Sequence, residues 1–292
     1  MSLNPRPFSR FNRALLTCSA IAMAGGALRA APYTAGDLLL GFVAGGGTGS
    51  NQTLLVNLGP ASGYRDAFDA GANKLNFTTV GSQLATQFGA SWHDRADLYV
   101  SLFGAANASV TSNTLFSGDP PRTVYTSQAR TASGALGTAD SAGWSVAGST
   151  AMTNAAGAVI SIAAGYTKAT ADAQTVAIIP KDDANTLDEY TRPVTNVSFD
   201  SFNGGVEQVF TAGPWGTLGD AGAVEAALDL YRIQARNNVS GQYGAGEPNG
   251  EGVYKGTITL SQSGAVSFIA KGAVTADGFS AWAAGSSTWW PT

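Results

Sequence analysis

His93 is the single histidine of the chain, so a Ser-His-Asp triad would have to use it, with Asp94 or Asp97 as the acid. No Gly-x-Ser-x-Gly elbow supplies the serine, and zinc sites built on two or three histidines are excluded. In Trp92-His93-Asp94-Arg95 the ring reads as a polar residue in a helix-to-strand turn. A glycosidase needs two carboxylates about 5 to 9.5 Å apart, one kept protonated by its surroundings. Glu189, Glu207, Glu225, Glu247, Glu251 and the aspartates could supply a pair, and the sequence selects none. Glu247 and Glu251 stand in a Gly-rich stretch that reads as a solvated loop.

Asp182, Asp183, Asn185, Asp188 and Glu189 cluster oxygens that Ca²⁺ would accept, but without the spacing and central Gly of an EF-hand. A solvated charged turn is the preferred reading, with calcium between Asp182 and Glu189 as the open alternative. Gly45-Gly46-Gly47-Thr48-Gly49-Ser50 resembles a phosphate cradle until its details are read. No Lys follows the last Gly, and Ser50 stands where a dinucleotide fingerprint needs a third Gly, so the stretch reads as a hairpin loop. Trp92, Trp144 and Trp215 read as packed aromatics, whereas Trp289-Trp290, near the chain end with Trp282, reads as a contact patch. No catalytic residue, metal ligand or cofactor-binding residue is assigned, and no cofactor is expected.

These side chains stand in a chain of 292 residues with 12% charged residues and 37 Gly, too apolar for disorder and suited to many short strands and turns. Arg6, Arg10 and Arg13 precede an apolar run from Ala14 to Ala27, which predicts a secretory signal peptide over residues 1–30 with cleavage at Ala27, Ala30 or Ala31. The run is shorter than the roughly 20 residues that span a bilayer. Four of the 16 basic side chains (Arg6, Arg10, Arg13, Arg29) and none of the 20 acidic ones lie in residues 1–30, so the remainder carries 12 against 20, a net charge of −8. Such a balance argues against nucleic acid and anionic membrane surfaces as partners. Cys18 is the single cysteine, and it would leave with the leader. A lipoprotein reading of it fails on Thr17, a poor residue before an acylated Cys. The mature chain then has no disulfide, thiolate nucleophile or Cys metal site.

The elements are read from apolar patterning. Asp37 to Ala44 and Leu54 to Gly59 predict two strands of a hairpin joined by the Gly-rich loop. Leu75 to Val80 is extended. Val80, Leu84 and Phe88 fall four apart before Gly89, which predicts a short helix with a Gly stop. Asp97 to Ala105 alternates as a strand buried on one face, and Thr123 to Thr126 resumes extended structure. Met152, Ala155, Ala156, Val159, Ile162, Ala163 and Tyr166 recur at helical spacing, which predicts an amphipathic helix of three to four turns. Val176 to Ile179 is a short apolar run closed by Pro180. Val194 to Phe202, Gly205 to Phe210 and Ala227 to Ile233 are strand candidates, and Tyr254 to Leu260 with Ala265 to Ala270 predicts the clearest hairpin.

Several stretches together resemble exported bacterial proteins of the PEP-CTERM, exosortase-sorted type. They are Gly36-Asp37-Leu38-Leu39-Leu40-Gly41-Phe42, Leu55-Val56-Asn57-Leu58-Gly59, Phe88-Gly89-Ala90-Ser91-Trp92 with Asp97-Leu98-Tyr99, Arg122-Thr123-Val124-Tyr125, Leu228-Asp229-Leu230-Tyr231-Arg232, and Gly256-Thr257-Ile258-Thr259-Leu260 with Gly264-Ala265-Val266-Ser267-Phe268. The resemblance implies a secreted or surface-displayed protein tied to an extracellular matrix. The sorting tail of that group, with its Val-Pro-Glu-Pro-like motif, apolar helix and terminal basic cluster, is not found after Ala270. Exosortase anchoring therefore does not carry over, the alternatives being release of the protein and a truncated reading frame.

The expectation is a mainly β protein: one extracytoplasmic domain over residues 31–292, an antiparallel, jelly-roll-like β-sandwich with a helical insertion at about residues 150–190. Its expected role is structural or adhesive, without catalytic activity, and its expected partners are extracellular polysaccharide or other surface proteins. No transmembrane segment is expected in the mature chain. The rival expectation is a carbohydrate-binding module or a polysaccharide-active glycoside hydrolase, which the same architecture would serve.

Overall fold

The computed structural model describes residues 33–67, 74–95, 97–106, 119, 122–130, 136–139, 149–169, 176–186, 224–234 and 252–272. Strand β1 (Asp37–Ala44) is buried along its whole length. Leu38, Leu40, Phe42 and Ala44 enter one core cluster and Leu39 and Val43 another, so the period-2 alternation of a strand divides one apolar run between two cores. Strand β2 (Gln52–Pro60) returns antiparallel, with Gly41 opposite Leu55. The expected first hairpin is therefore present.

Seven more strands complete the described sheet: β3 (Lys74–Thr79), β4 (Leu98–Ala105), β5 (Val124–Ala129), β6 (Val176–Pro180), β7 (Val224–Ile233), β8 (Gly252–Ser261) and β9 (Ala265–Ala270). They join in the order β3-β9-β8-β7-β5-β4-β1-β2-β6, every pairing antiparallel. The fold is mainly antiparallel β, as the patterning requires. All nine described strands lie in one curled sheet. A sheet apolar on both faces needs cover on both, and here helices supply it.

Inside the curl, α1 (Ala61–Arg65) buries Ala61 and Tyr64, and α2 (Gly81–Phe88) buries Leu84 and Phe88. Trp92 follows from a short 3-10 turn, Trp92–Asp94. All five join the core formed by the inner faces of β1, β2 and β4 and of β8 and β9. The Tyr64 ring meets Phe268 edge-on at 5.2 Å. The chain leaves β2 for the far edge at β3 and returns to β4, so these two crossings fill the concave side. Helix α2 ends as its sequence predicts: Gly89 takes φ 97° and its N–H bonds to Ala85 O at 3.0 Å.

Outside the curl lies α3 (Ser149–Ala169), at 21 residues longer than the expected three to four turns. Met152, Ala155, Ala156, Val159, Ile162, Ala163 and Tyr166 pack on Leu39, Val43, Leu55, Phe103, Ala105 and Ile179. Each fully buried Ile, Val or Met in that stripe is worth about 1.5–3 kcal/mol. This helix also explains why β4 is buried on both faces instead of the expected one: Leu98, Val100 and Leu102 enter the inner core, while Phe103 and Ala105 enter the core shared with α3. The 150–190 region thus holds α3 and the sheet-edge strand β6. The strand candidates at Val194–Phe202 and Gly205–Phe210 lie outside the described residues, as does the leader segment 1–30. Among the described residues no helix is long and apolar enough to cross a membrane.

Candidate functional site

His93 stands in the 3-10 turn between α2 and β4. Its Nδ1 lies 3.1 Å from Asp94 Oδ1 and 3.4 Å from Gln262 Nε2, and its ring stands edge-on to Trp92 at 5.5 Å. Neither neighbour of that nitrogen is a nucleophile, and Asp94 is half exposed. Asp97, the other acid considered for a triad, is held elsewhere.

Asp97 explains the Gly-rich loop between β1 and β2. Its carboxylate accepts from Arg95 Nε at 2.9 Å and Nη2 at 2.8 Å, and from the Gly46 N–H at 3.0 Å. Arg95 also donates to the carbonyls of Gly46, Thr48 and Phe88 at 2.5, 2.6 and 3.0 Å. The loop that resembled a phosphate cradle therefore already holds an anion of its own, and one guanidinium ties it to the end of α2. Hydrogen bonding to Arg95 first, opposed by some desolvation, holds the Asp97 carboxyl below the usual range and raises the guanidinium in turn. Gly49, at φ 75°, lies where a Cβ would stand 2.4 Å from Gln87 O, so the loop rests directly on that helix.

In the oxygen cluster from Asp182 to Glu189, Asp183 is likewise engaged. Asp183 Oδ2 accepts from Lys168 of α3 at 2.7 Å, and Oδ1 accepts from the Asn185 N–H at 2.9 Å. The hydrogen bond from Lys168 is the first cause of the lowered Asp183 pKa. Among the described residues no three His, Cys, Asp or Glu side chains come together as metal ligands; Asp188 and Glu189 are outside them. Trp92 is buried, at 3% exposure. The other five tryptophans and the side chains of all five glutamates considered for a glycosidase pair lie outside the described residues.

Two charged networks escaped the sequence reading, and both centre on β7. Leu228 and Leu230 face the inner core and Tyr231 and Ile233 the outer one, so Asp229 points outward and Arg232 inward. Inside, Arg232 donates to Asp119 Oδ1 from Nε at 2.8 Å and approaches it with Nη2 at 2.7 Å; Tyr125 OH donates to Oδ2 at 2.8 Å. Arg65, the last residue of α1, brings Nη1 within 3.0 Å of the same Oδ1. Outside, Arg130 and Asp229, both fully buried, pair at 2.6 Å. Thr257 donates to Asp229 Oδ1 at 3.0 Å, and Arg130 donates to Thr138 O at 2.8 Å. Burial first, and the Asp119 charge second, raise the Tyr125 phenol well above its ordinary value.

A signal for both networks was present in Leu228-Asp229-Leu230-Tyr231-Arg232-Ile233. Two opposite charges three apart in an otherwise apolar strand face opposite sides, and each must find a buried partner. Fold and site together define a mainly antiparallel β protein whose described charges bind its own sheet, helices and loops to one another. No protein-family model, curated protein or solved structure matches the chain.

Proposed function

We propose that this chain is an exported bacterial protein with a structural or adhesive role at the cell surface or in the extracellular matrix. The observation that carries the structural part is the destination of its charge. Asp119, Arg232, Arg130 and Asp229 are buried in ion pairs on the two faces of one strand, and Arg95 locks a loop to a helix end. The export part is supported by Arg6, Arg10 and Arg13 ahead of the Ala14 to Ala27 run, and by the lack of cysteine after Cys18. The resemblance to exosortase-sorted proteins points the same way. A jelly-roll-like sandwich is the finer architecture of this reading, supported by the one core that the inner faces of β1, β2 and β4 share with those of β8 and β9.

The test is a fusion of residues 1–40 to an alkaline phosphatase that lacks its own leader and is active only outside the cytoplasm, run beside fractionation of cells making the whole chain. Reporter activity, with the chain in the envelope or matrix fraction, is expected. An inactive reporter with the chain in the cytosol would overturn the reading.

A further inference from the structure

Strands β6 and β3 are the two edges of the described sheet, and they differ. β3 opens on Lys74, and its register slips between Asn76 and Thr78; a lysine and a bulge are two of the devices that blunt an edge against pairing. β6, Val176-Ala177-Ile178-Ile179-Pro180, holds no charge and keeps an unbroken register with β2. Its Ile178 is 43% exposed, one of two large apolar side chains so placed among the described residues. Flat, uncharged and apolar, this edge is a template for another strand.

Just past the strand, the Lys181 N–H donates to Asn51 O at 2.9 Å. In the alternation of an antiparallel ladder, Ile179 and Ala177 therefore turn their N–H and C=O toward β2, and Val176, Ile178 and Pro180 turn theirs outward. Pro180 has no N–H, and its carbonyl accepts from the Asp183 N–H at 3.1 Å. The open edge is thus the N–H and C=O of Val176 and of Ile178, with no strand paired to them among the described residues. The side chains of these two residues share one face: Val176 packs at the rim of the inner core, while Ala177 and Ile179 point to the outer one.

We propose that the β6 edge binds a second copy of this chain, antiparallel across a two-fold axis at Ala177, with Val176 opposite Ile178 of the partner subunit. In that register the edge is its own complement: each outward N–H meets an outward C=O of the other copy, and no open group is left over. Shifting the pair by two residues toward Pro180 would set Val176 against a residue that has no donor and whose carbonyl is engaged. The same register lays Ile178 across from the partner's Val176 on the inner face, where it continues the apolar row begun by Leu54 of β2. A ladder this short makes a weak contact, and a two-fold contact closes on itself as a dimer instead of running on as a fibre. The pairing follows from the edge alone and does not depend on the function proposed above.

The test is sedimentation of the purified chain, carrying Cys18→Ser, from about 10 µM to 1 mM, the span of weak association. The mass should rise from monomer toward dimer, and Ile178→Lys, with circular dichroism reporting its fold, should weaken association by about tenfold or more. Cysteine cross-linking reads the register. Val176→Cys mixed with Ile178→Cys should form a disulfide, because opposed residues of a hydrogen-bonded pair stand about 5.5 Å apart. Each variant alone should cross-link far more slowly, its own copies lying on the diagonal at about 7–8 Å. Amide exchange at Val176 and Ile178 should be fast in the dilute chain and slow in the concentrated one. A chain that stays monomeric throughout, association unmoved by a folded Ile178→Lys, or self cross-linking as fast as the mixed reaction would each overturn the proposal. So would β6 amides protected even at dilution, which would mean that another part of the chain already covers the edge. If Ile178→Lys loses its fold, the cross-linking pattern and the amide exchange decide.

Discussion

Thr126 and Asp229 are both fully buried polar residues, and they answer opposite substitutions. Thr126 Oγ1 has no hydrogen-bond partner among the described residues, so its hydroxyl bears a desolvation cost without return. Thr126→Val keeps the shape and removes that cost, and should raise stability by about 1 kcal/mol in a urea titration; a loss of stability would show that the hydroxyl is satisfied. Asp229 is held by Arg130 and Thr257. Asp229→Ala removes the carboxylate from a buried ion pair and should cost about 3–5 kcal/mol, whereas Arg130→Met with Asp229→Leu should lie close to wild type. If the single and double variants lose the same stability, the pair is not what makes the single change costly.

At the scale of elements, two glycines that look alike in sequence should respond with opposite sign. Gly81 opens α2 under the β8–β9 turn, where the Val80 N–H bonds to Gly264 O at 2.8 Å and a Cβ on Gly81 would stand 2.2 Å from Ser263 O. Gly157 lies within α3 with nothing near its Cβ position. Replacing a helical Gly by Ala ordinarily gains about 1 kcal/mol, which Gly157→Ala should show. Gly81→Ala must instead push the turn off the helix, and backbone overpacking of this kind costs about 1–3 kcal/mol. The expected thermal shifts are therefore upward at Gly157 and downward at Gly81. A Gly81→Ala variant that melts higher than wild type would mean that the turn does not rest on α2.

These elements also show what the sequence could carry. The two hairpins, the Gly stop of α2 and the stripe of α3 were legible because each depends on local periodicity and on one or two turn residues. The curl of the sheet was not, because it depends on α1 and α2 lying inside it, and α1 is a single turn, Ala61–Arg65, too short to leave a periodic trace. The Gly-rich loop was legible as a loop, but its partner, Asp97, is the residue just before β4, 51 residues beyond Gly46, a pairing that spacing within the loop cannot reveal. The charges of β7 were visible as letters, and only the burial of both faces turns them into a demand for partners.

At the scale of the whole molecule, the tyrosines couple the core to pH. Tyr33 and Tyr166 are pushed up to about 12, in each case by burial first and the charge of Asp37 second. Tyr64, Tyr125 and Tyr254 are raised further, again with burial as the first cause. An unfolded tyrosine ionises near pH 10, so in all five the folded value lies above the unfolded one. Their contribution to stability is fully present below about pH 10 and is lost as pH rises through the folded values, because the unfolded chain releases its protons first. Five of the nine tyrosines share this sign, and they sit in both cores, with Tyr64 and Tyr125 inside the curl and Tyr166 and Tyr254 outside it. Neither face can admit a phenolate while the sheet keeps its helices. Phenolate absorbance at 295 nm, followed with far-UV circular dichroism from pH 8 to 13, should show only part of the full change near pH 10. The remainder should arrive above about pH 11, in one step with the loss of β signal. A single smooth titration of all nine tyrosines near pH 10 with the β signal intact would mean that these rings are in water and that the curled sheet is not closed around them.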